Sequence, residues 1–295
     1  MIVRAPGSSA NLGPGFDCLG LAIDVPFDVS DTRLDTFHAV EPGHPARRGY
    51  VEAGGDPGIA LWWRSPFPPG RGQGFSGAAR VAGAFLALEH AGTAAGADPE
   101  VARRRAFGVA AALEGHADNA AASTWGGFTV ATPDRALRVP VPPEVALVMW
   151  WPARRTSTAS SRGALPGAVP FPDAVGNVAH ASLMVAALGT GNWDAVGSAV
   201  LDRLHQDRRL DAQPRSREVL ALVRGIPHVY GAWLSGSGPT IAALVPVAEA
   251  ERVAATLAGL VGVTRGGDDP RSAGDEAGER VSVRAIADDG VRALG

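Results

Sequence analysis

The chain has 295 residues, of which 46% are hydrophobic and 19% charged, and its formal net charge is -3. This length can bury the core of one large or two modest domains, and so mild a charge disfavours a nucleic-acid partner. All 27 basic residues are arginine, so a Schiff-base lysine and a Walker-type phosphate loop are excluded.

The cysteine count and the N-terminus indicate the cellular setting. The single cysteine, Cys18, excludes an internal disulfide and a cysteine-rich zinc site, and a reducing cytoplasmic location is the simplest interpretation. Residues 1–6 lack the apolar run of a signal peptide. No stretch of ~18 apolar residues could cross a bilayer, so no membrane partner is predicted.

The predicted elements mix strands and helices along the chain. In order, they are strands at 1–6, 19–25 and 59–64, helices at 77–90 and 99–114, strands at 126–131 and 145–150, helices at 173–190, 193–205 and 215–225, strands at 230–234 and 240–245, a helix at 248–260 and a strand at 281–285. Residues 26–58 are predicted to be irregular, and residues 264–279 have the composition of a mobile loop. The pattern predicts an α/β or α+β fold with a division near residue 150.

A glycine-rich segment, residues 66–76, leads into the predicted helix at 77–90. The free N–H groups and the dipole of a helix N-terminus favour negative charge, so this segment predicts an anion site. Taken alone, it could equally be a tight turn. Three more polar, glycine-bearing turns lie beside apolar elements, at residues 8–17, 114–119 and 234–240, and sites are commonly built on such turns.

Together, and in this order, these segments resemble the GHMP kinase superfamily and most closely the homoserine kinases. The family's three motifs are matched by residues 9–22, 69–76 and 231–240, and further family stretches by residues 114–127, 157–166 and 202–209. The resemblance implies an α+β fold, with an N-terminal α/β domain over 1–150 that carries the glycine-rich loop and a ferredoxin-like α+β domain over 151–295. It also implies a homodimer that uses MgATP to phosphorylate the hydroxyl of homoserine, threonine or a related small amino acid.

The resemblance also assigns roles to individual residues. It implies that the triphosphate is held by Gly72, Gly74, Phe75, Ser76, Ser235 and Gly236, and magnesium by Ser76 and Glu114. It implies that the amino acid is held by Asn11, Asp17, His116, Asn119, Arg162 and Arg209, of which His116, Asp17 and Asn119 are the catalytic candidates. The residue types suit these roles, because oxygen ligands suit a hard cation and a planar guanidinium binds a carboxylate through two parallel hydrogen bonds. Arg209 follows Arg208 in a charged stretch and could equally be a surface residue.

Two differences from the family pattern fall on the nucleotide side. The family's second motif usually reads Gly-Leu-Gly-Ser-Ser-Ala-Ala, whereas residues 72–78 read Gly-Gln-Gly-Phe-Ser-Gly-Ala, so Phe75 stands in place of the first serine. The ring of Phe75 could either fill part of the triphosphate site or pack away from it. Residues 23–58 lack the strands and helix that wall the adenine pocket in relatives, apart from a remnant near 46–54. If the Phe75 ring packs away, other residues, such as Trp62 or Trp63, would hold the base.

Three functional hypotheses follow. The first is a diverged kinase that uses ATP and Mg²⁺. The second, motivated by losses confined to the nucleotide side, is an ATP-independent lyase, cyclase or isomerase without these cofactors, acting on a carboxylate-bearing or phosphorylated amino-acid metabolite. The third is a non-catalytic sensor or partner protein.

Overall fold

The computed structural model describes residues 1–67, 69–92, 98–154, 156, 158–263 and 278–294. The strands are β1 (Ile2–Ala10), β2 (Leu19–Ser30), β3 (His38–Ala39), β4 (Trp62–Arg64), β5 (Phe128–Thr132), β6 (Arg135–Val139), β7 (Val145–Trp151), β8 (Gly231–Leu234), β9 (Ile241–Pro246), β10 (Arg280–Arg284) and β11 (Arg292–Leu294). The helices are α1 (Pro45–Glu52), α2 (Phe75–His90), α3 (Pro99–Glu114), α4 (Asp118–Trp125), α5 (Thr158–Gly163), α6 (Phe171–Thr190), α7 (Val196–Ala199), α8 (Gln206–Asp211), α9 (Pro214–Arg224) and α10 (Ala250–Val261).

The first sheet carries the helices that form one side of the cavity described below. It has seven antiparallel strands in the order β11-β1-β2-β4-β3, with β5 paired to β2 and β6 to β5. Helices α2 and α4 pack against β1 and β2. Helix α2 is rich in buried Ala and Gly, so α1 can approach it closely. A Cβ atom on Gly83 would collide with the carbonyl group of Ala46.

The second sheet is antiparallel, in the order β10-β7-β9-β8, and has its own core. Trp150 and Leu234 from the sheet pack with Val219 of α9 and Leu257 of α10 in this core. Two sheets covered by helices confirm the predicted α+β class. The predicted boundary after residue 150 falls within β7, all of which lies in the second sheet, whereas β11 returns to the first. The division into two domains stays a prediction.

The irregular structure predicted for residues 26–58 is wrong where β2 continues to Ser30 and where β3 and α1 form, and it holds for the residues between these elements. Helix α1 lies where the sequence predicted a remnant near 46–54. Helix α1 begins here because His44 Nδ1 accepts a hydrogen bond from the Ala46 N–H at 3.1 Å, and Pro45 occupies the first helical turn. The buried Tyr50 anchors the helix to the core.

The helix predicted over 193–205 is wrong after its first half, because residues 193–199 are helical and α7 ends at Ala199. The carboxylate of Asp202 accepts hydrogen bonds from the backbone N–H groups of Leu204, His205 and Gln206, which makes a turn that leads into α8. Most of the loop predicted at 264–279 lies outside the described residues. Among the described helices, none combines the length and apolar character needed to cross a bilayer.

Candidate active site

A cavity of about 190 Å³ brings the predicted site residues together. All of them line it except Ser235, namely Asn11, Asp17, Gly72, Gly74, Phe75, Ser76, Glu114, His116, Asn119, Arg162, Arg209 and Gly236. The wall also includes charged residues that the sequence motifs did not single out, namely Arg71, Arg80 and Asp118. Segments far apart in the chain therefore meet in one small polar space.

The glycine-rich loop places the N-terminus of α2 on this cavity. Gly72 and Gly74 have φ of 72° and 71°, and a Cβ on Gly74 would lie 2.7 Å from the Ser8 backbone nitrogen, so both positions favour glycine. Gly74 caps α2 without a side chain, and the first N–H groups of a helix have no partner within it. Ser235 lies behind the loop, where its hydroxyl donates to the Gly72 carbonyl. Its contact supports the loop.

The Phe75 ring belongs to the core. It packs edge-on against Phe27 and Trp63, each with a centroid separation of 5.3 Å, and against His44 and Phe67, each at 5.7 Å. We call these five residues the aromatic cluster. Phe75 is only 6% exposed, so of the two orientations considered for its ring, the structure shows the one that packs into the core. Trp63 is likewise engaged, since it stacks on Phe27 at 5.7 Å.

Asp17 and Arg162 form a two-point ion pair at the cavity. The Arg162 Nη1 and Nη2 atoms donate to the two Asp17 oxygens at 2.8 and 2.7 Å. This hydrogen bonding raises the pKa of Arg162. Asn11 holds the turn that carries Asp17, because its side-chain oxygen accepts the Asp17 N–H and its amide donates to the Gly236 carbonyl.

Arg209 is a buried component of the same wall, so its interpretation as a surface residue is wrong. It is 3% exposed, whereas its neighbour Arg208 is exposed. Its Nη1 donates to the Gly236 carbonyl at 2.9 Å, and its guanidinium lies 5.1 Å from the Phe16 ring centroid. Burial lowers the pKa of Arg209, but an arginine side chain stays protonated at neutral pH.

His116 lies between two carboxylates. Its Nδ1 is 2.7 Å from Asp118 Oδ1, and its Nε2 is 3.6 Å from Glu114 Oε2. A carboxylate at Nδ1 favours the tautomer that leaves Nε2 as the proton acceptor. The side chain of Asn119 donates to Asp118 and accepts from the Ser8 hydroxyl, so it fixes the start of α4 against β1.

Arg80 connects the two predicted magnesium ligands. Ser76 and Arg80 are four residues apart on one face of α2, and Arg80 Nη1 donates to Ser76 Oγ and to Glu114 Oε1. Magnesium needs oxygen ligands at about 2.0–2.1 Å in a near-octahedral set, whereas these oxygens are bound by a guanidinium. Ser76 and Glu114 come together as predicted, but in this arrangement they do not fit a protein-held magnesium ion.

Comparison with known proteins places this site in a family. Residues 184–260 match the family GHMP kinases C terminal. The fold resembles homoserine kinase from Cytophaga hutchinsonii, with a TM-score of 0.78, 22% identity and coverage of 100% of this chain and 97% of that one. It also resembles the Methanococcus jannaschii mevalonate kinase, with a TM-score of 0.64, 12% identity and coverage of 97% and 98%. The fold is therefore that of a GHMP kinase.

Sequence relatives narrow the assignment. Homoserine kinase from Thermus thermophilus is 37% identical over 274 residues, which cover 87% of this chain and 91% of that protein. Homoserine kinase from Streptomyces avermitilis is 36% identical over 275 residues, covering 85% and 88%. The chain belongs to the homoserine kinase family.

Proposed function

We propose that this protein transfers the terminal phosphoryl group of MgATP to the side-chain hydroxyl of homoserine, threonine or a related small amino acid. The observation that carries the proposal is a continuous row of charged side chains in one cavity. Arg80 contacts Glu114, Glu114 lies beside His116, and His116 bonds to Asp118. The potential ligand atoms of Asp17, His116 and Asp118 lie within 4.8 Å of one another, which extends the row to the Asp17–Arg162 pair.

One end of this row suits a zwitterionic amino acid. The ligand's ammonium group would bind Asp17, and its carboxylate would bind Arg162, with the buried positive charge of Arg209 nearby. Asp17 and Arg162 pair with each other in the structure, and a zwitterion offers each of them a replacement of opposite charge. Their side chains are 29% and 38% exposed, so a ligand can reach both.

The other end suits the phosphates of the nucleotide. The N–H groups at the start of α2 and the guanidinium of Arg80 lie on the same part of the wall. Phosphoryl transfer depends mainly on positioning and on stabilising charge, so this arrangement serves the reaction without a lysine. Magnesium would arrive as part of the MgATP substrate.

The reaction needs a proton acceptor, and His116 is placed for that role. As the hydroxyl oxygen forms its bond to phosphorus, the bond from phosphorus to the ADP oxygen breaks and the hydroxyl proton passes to His116 Nε2. Asp118 stabilises the resulting positive charge through Nδ1. Asp17 is less suited, because in the proposed complex its carboxylate binds the ammonium group of the amino acid.

Phosphorus NMR of the wild-type protein with MgATP and a panel of hydroxy amino acids tests the proposal. We expect ADP and a new O-phosphate signal with homoserine or threonine, and neither product with alanine, which has no hydroxyl group. ATP that stays intact with every amino acid of the panel would contradict the proposed function.

A second candidate is the ATP-independent enzyme, and the size of the cavity favours it. The volume of about 190 Å³ falls below the roughly 300–1,000 Å³ of sites that enclose drug-sized ligands, and suits an amino acid or its phosphate better than a whole nucleotide. This candidate requires conversion of an O-phosphorylated or carboxylate-bearing amino acid without ATP. The same NMR experiment without nucleotide would detect it as release or rearrangement of the phosphate.

The homodimer implied by the resemblance is also a proposal. Phe171, Val175 and Val178 of α6 are 80%, 53% and 67% exposed and form an apolar stripe that a second copy could cover. Light scattering would give twice the monomer mass if the protein is a dimer, and the monomer mass if it is not.

A further inference from the structure

The wall of the cavity contains a positively charged side chain, Arg80, beside the predicted metal ligands. Ser76 and Arg80 share one face of α2, and Glu114 ends α3 opposite them. A single nitrogen, Arg80 Nη1, donates to both Ser76 Oγ and Glu114 Oε1. The guanidinium therefore stands between the two oxygens that a divalent ion would bridge.

The Arg80 contact is the hydrogen bond that holds Glu114. Glu114 Oε2 lies 3.6 Å from His116 Nε2, which is too far for a hydrogen bond, whereas Oε1 accepts from Arg80 Nη1. The Arg80 and Glu114 side chains are only 13% and 5% exposed. With so little water present, removing one partner leaves the other as an uncompensated buried charge, and the pair resists separation.

The charge of Arg80 persists under all ordinary conditions. Burial lowers the pKa of Arg80, yet arginine stays protonated at neutral pH. A divalent cation between Ser76 and Glu114 would face this positive charge at close range in a poorly solvated wall, where repulsion is weakly screened. In addition, Arg80 Nε is buried without a hydrogen-bond partner among the described residues, so its N–H group is a donor that the guanidinium does not use within the chain.

We propose that Arg80 replaces a protein-bound divalent metal in this chain and that Ser76 and Glu114 serve to hold its guanidinium. The phosphate charge is then met by Arg80 and the N-terminus of α2, and a divalent ion reaches the site only as part of the nucleotide. The part of this inference that concerns phosphate rests on the proposed function, whereas the exclusion of metal by Arg80 does not.

Electron paramagnetic resonance of Mn²⁺, measured without nucleotide or amino acid, tests the exclusion directly. The proteins are the wild type, Glu114→Gln, Arg80→Met and the double variant Arg80→Met/Glu114→Gln. Methionine keeps an unbranched side chain without the charge. We expect the wild type and Glu114→Gln to show the same weak background binding. Arg80→Met should gain a site with at least about tenfold tighter Mn²⁺ binding, which the double variant loses.

Two results would overturn the proposal. The first is a Mn²⁺ site in the wild type that Glu114→Gln abolishes, a comparison that needs no Arg80 variant to fold. The second is a folded Arg80→Met, checked by circular dichroism, that binds no more Mn²⁺ than the wild type. Because no nucleotide or amino acid is present, these outcomes do not depend on whether the protein transfers phosphate. Conversely, an inactive wild type that behaves as expected with Mn²⁺ would contradict the proposed function alone.

Discussion

The two ends of the cavity hold their ion pairs in different surroundings. Asp17 and Arg162 are 29% and 38% exposed, whereas Glu114 and Arg80 are 5% and 13% exposed. A ligand can replace the partners in an open pair, because water and ligand charges compensate both groups as they separate. A nearly buried pair is costly to separate, so it acts as a fixed part of the wall.

One difference from the family pattern is matched by contacts within the chain. The phenylalanine at position 75 packs against four aromatic neighbours that surround its ring. Arg80, on the same helix, donates to two oxygen partners. The polar residues of the Asp17–Arg162 end, by contrast, line the cavity.

The largest expected effect concerns His116, which stands between the two ends. Replacement by glutamine removes the proton acceptor while keeping a polar side chain of similar size. We expect kcat to fall about 10²–10⁴-fold, with a small change in the KM for the amino acid. Steady-state kinetics would measure this with the wild type as reference. An unchanged kcat would show that His116 takes no proton.

The next effect concerns Phe75 and is a change in the free energy of unfolding. Phe75→Ser should lower the free energy of unfolding by about 3–5 kcal/mol, because it removes a large ring from the aromatic cluster. Phe75→Leu is the matched control and should cost less, about 1–2 kcal/mol, since it keeps most of the apolar volume. Urea denaturation would measure both. Unaltered stability of Phe75→Ser together with new nucleotide binding would place the ring in the phosphate site instead.

The open pair can be tested through Arg162. Arg162→Gln should raise the KM for the amino acid about 100-fold, because a charge-assisted hydrogen bond contributes roughly 1.5–3 kcal/mol, while the KM for MgATP stays unchanged. Arg162→Lys keeps the charge but not the two-point geometry, so its KM for the amino acid should lie between those of the wild type and Arg162→Gln. Equal effects on both substrates would contradict a role confined to the amino-acid end.

The smallest effect concerns the pH dependence of stability through His44 of the aromatic cluster. Burial lowers the pKa of His44 from its ordinary value of 6.5 to about 4. As the pH falls from about 6.5 to 4, the unfolded chain takes up a proton that the folded chain does not, so the free energy of unfolding should decrease and then level off. The full pKa difference corresponds to about 3.4 kcal/mol, and the partial solvent exposure of His44 reduces the expected decrease to about 2 kcal/mol. His44→Asn keeps an N-cap for α1 and should lose this part of the slope. Identical pH profiles of the two proteins would exclude His44 as the cause.

Motifs could be predicted well from the sequence, because glycine-bearing turns fix the backbone locally. The turn at Asp17, the loop at Gly72 and Gly74 and the turn at Gly236 meet at one cavity as the resemblance implied. Helix α1 was missed because its segment is rich in Pro, Gly and charged residues, and it depends on the His44 cap and on a close approach to α2.

Arg80 was missed for a different reason. In the sequence, it is a charged residue in the apolar first part of α2, 34 positions before Glu114, and only the packing of α2 against α3 brings the two together. The spacing of four residues from Ser76 was the available signal. Asp118 could have been found through its position two residues after His116, the residue that it orients.

The central claim is that one cavity binds the amino acid at the Asp17–Arg162 end and the phosphoryl group at the Arg80 end. A crystal structure with O-phosphohomoserine tests it most directly. We expect the carboxylate on Arg162, the ammonium group on Asp17, and the phosphate on the N–H groups at the start of α2 beside Arg80. A phosphate bound to Arg162, with the amino-acid group outside the cavity, would contradict it.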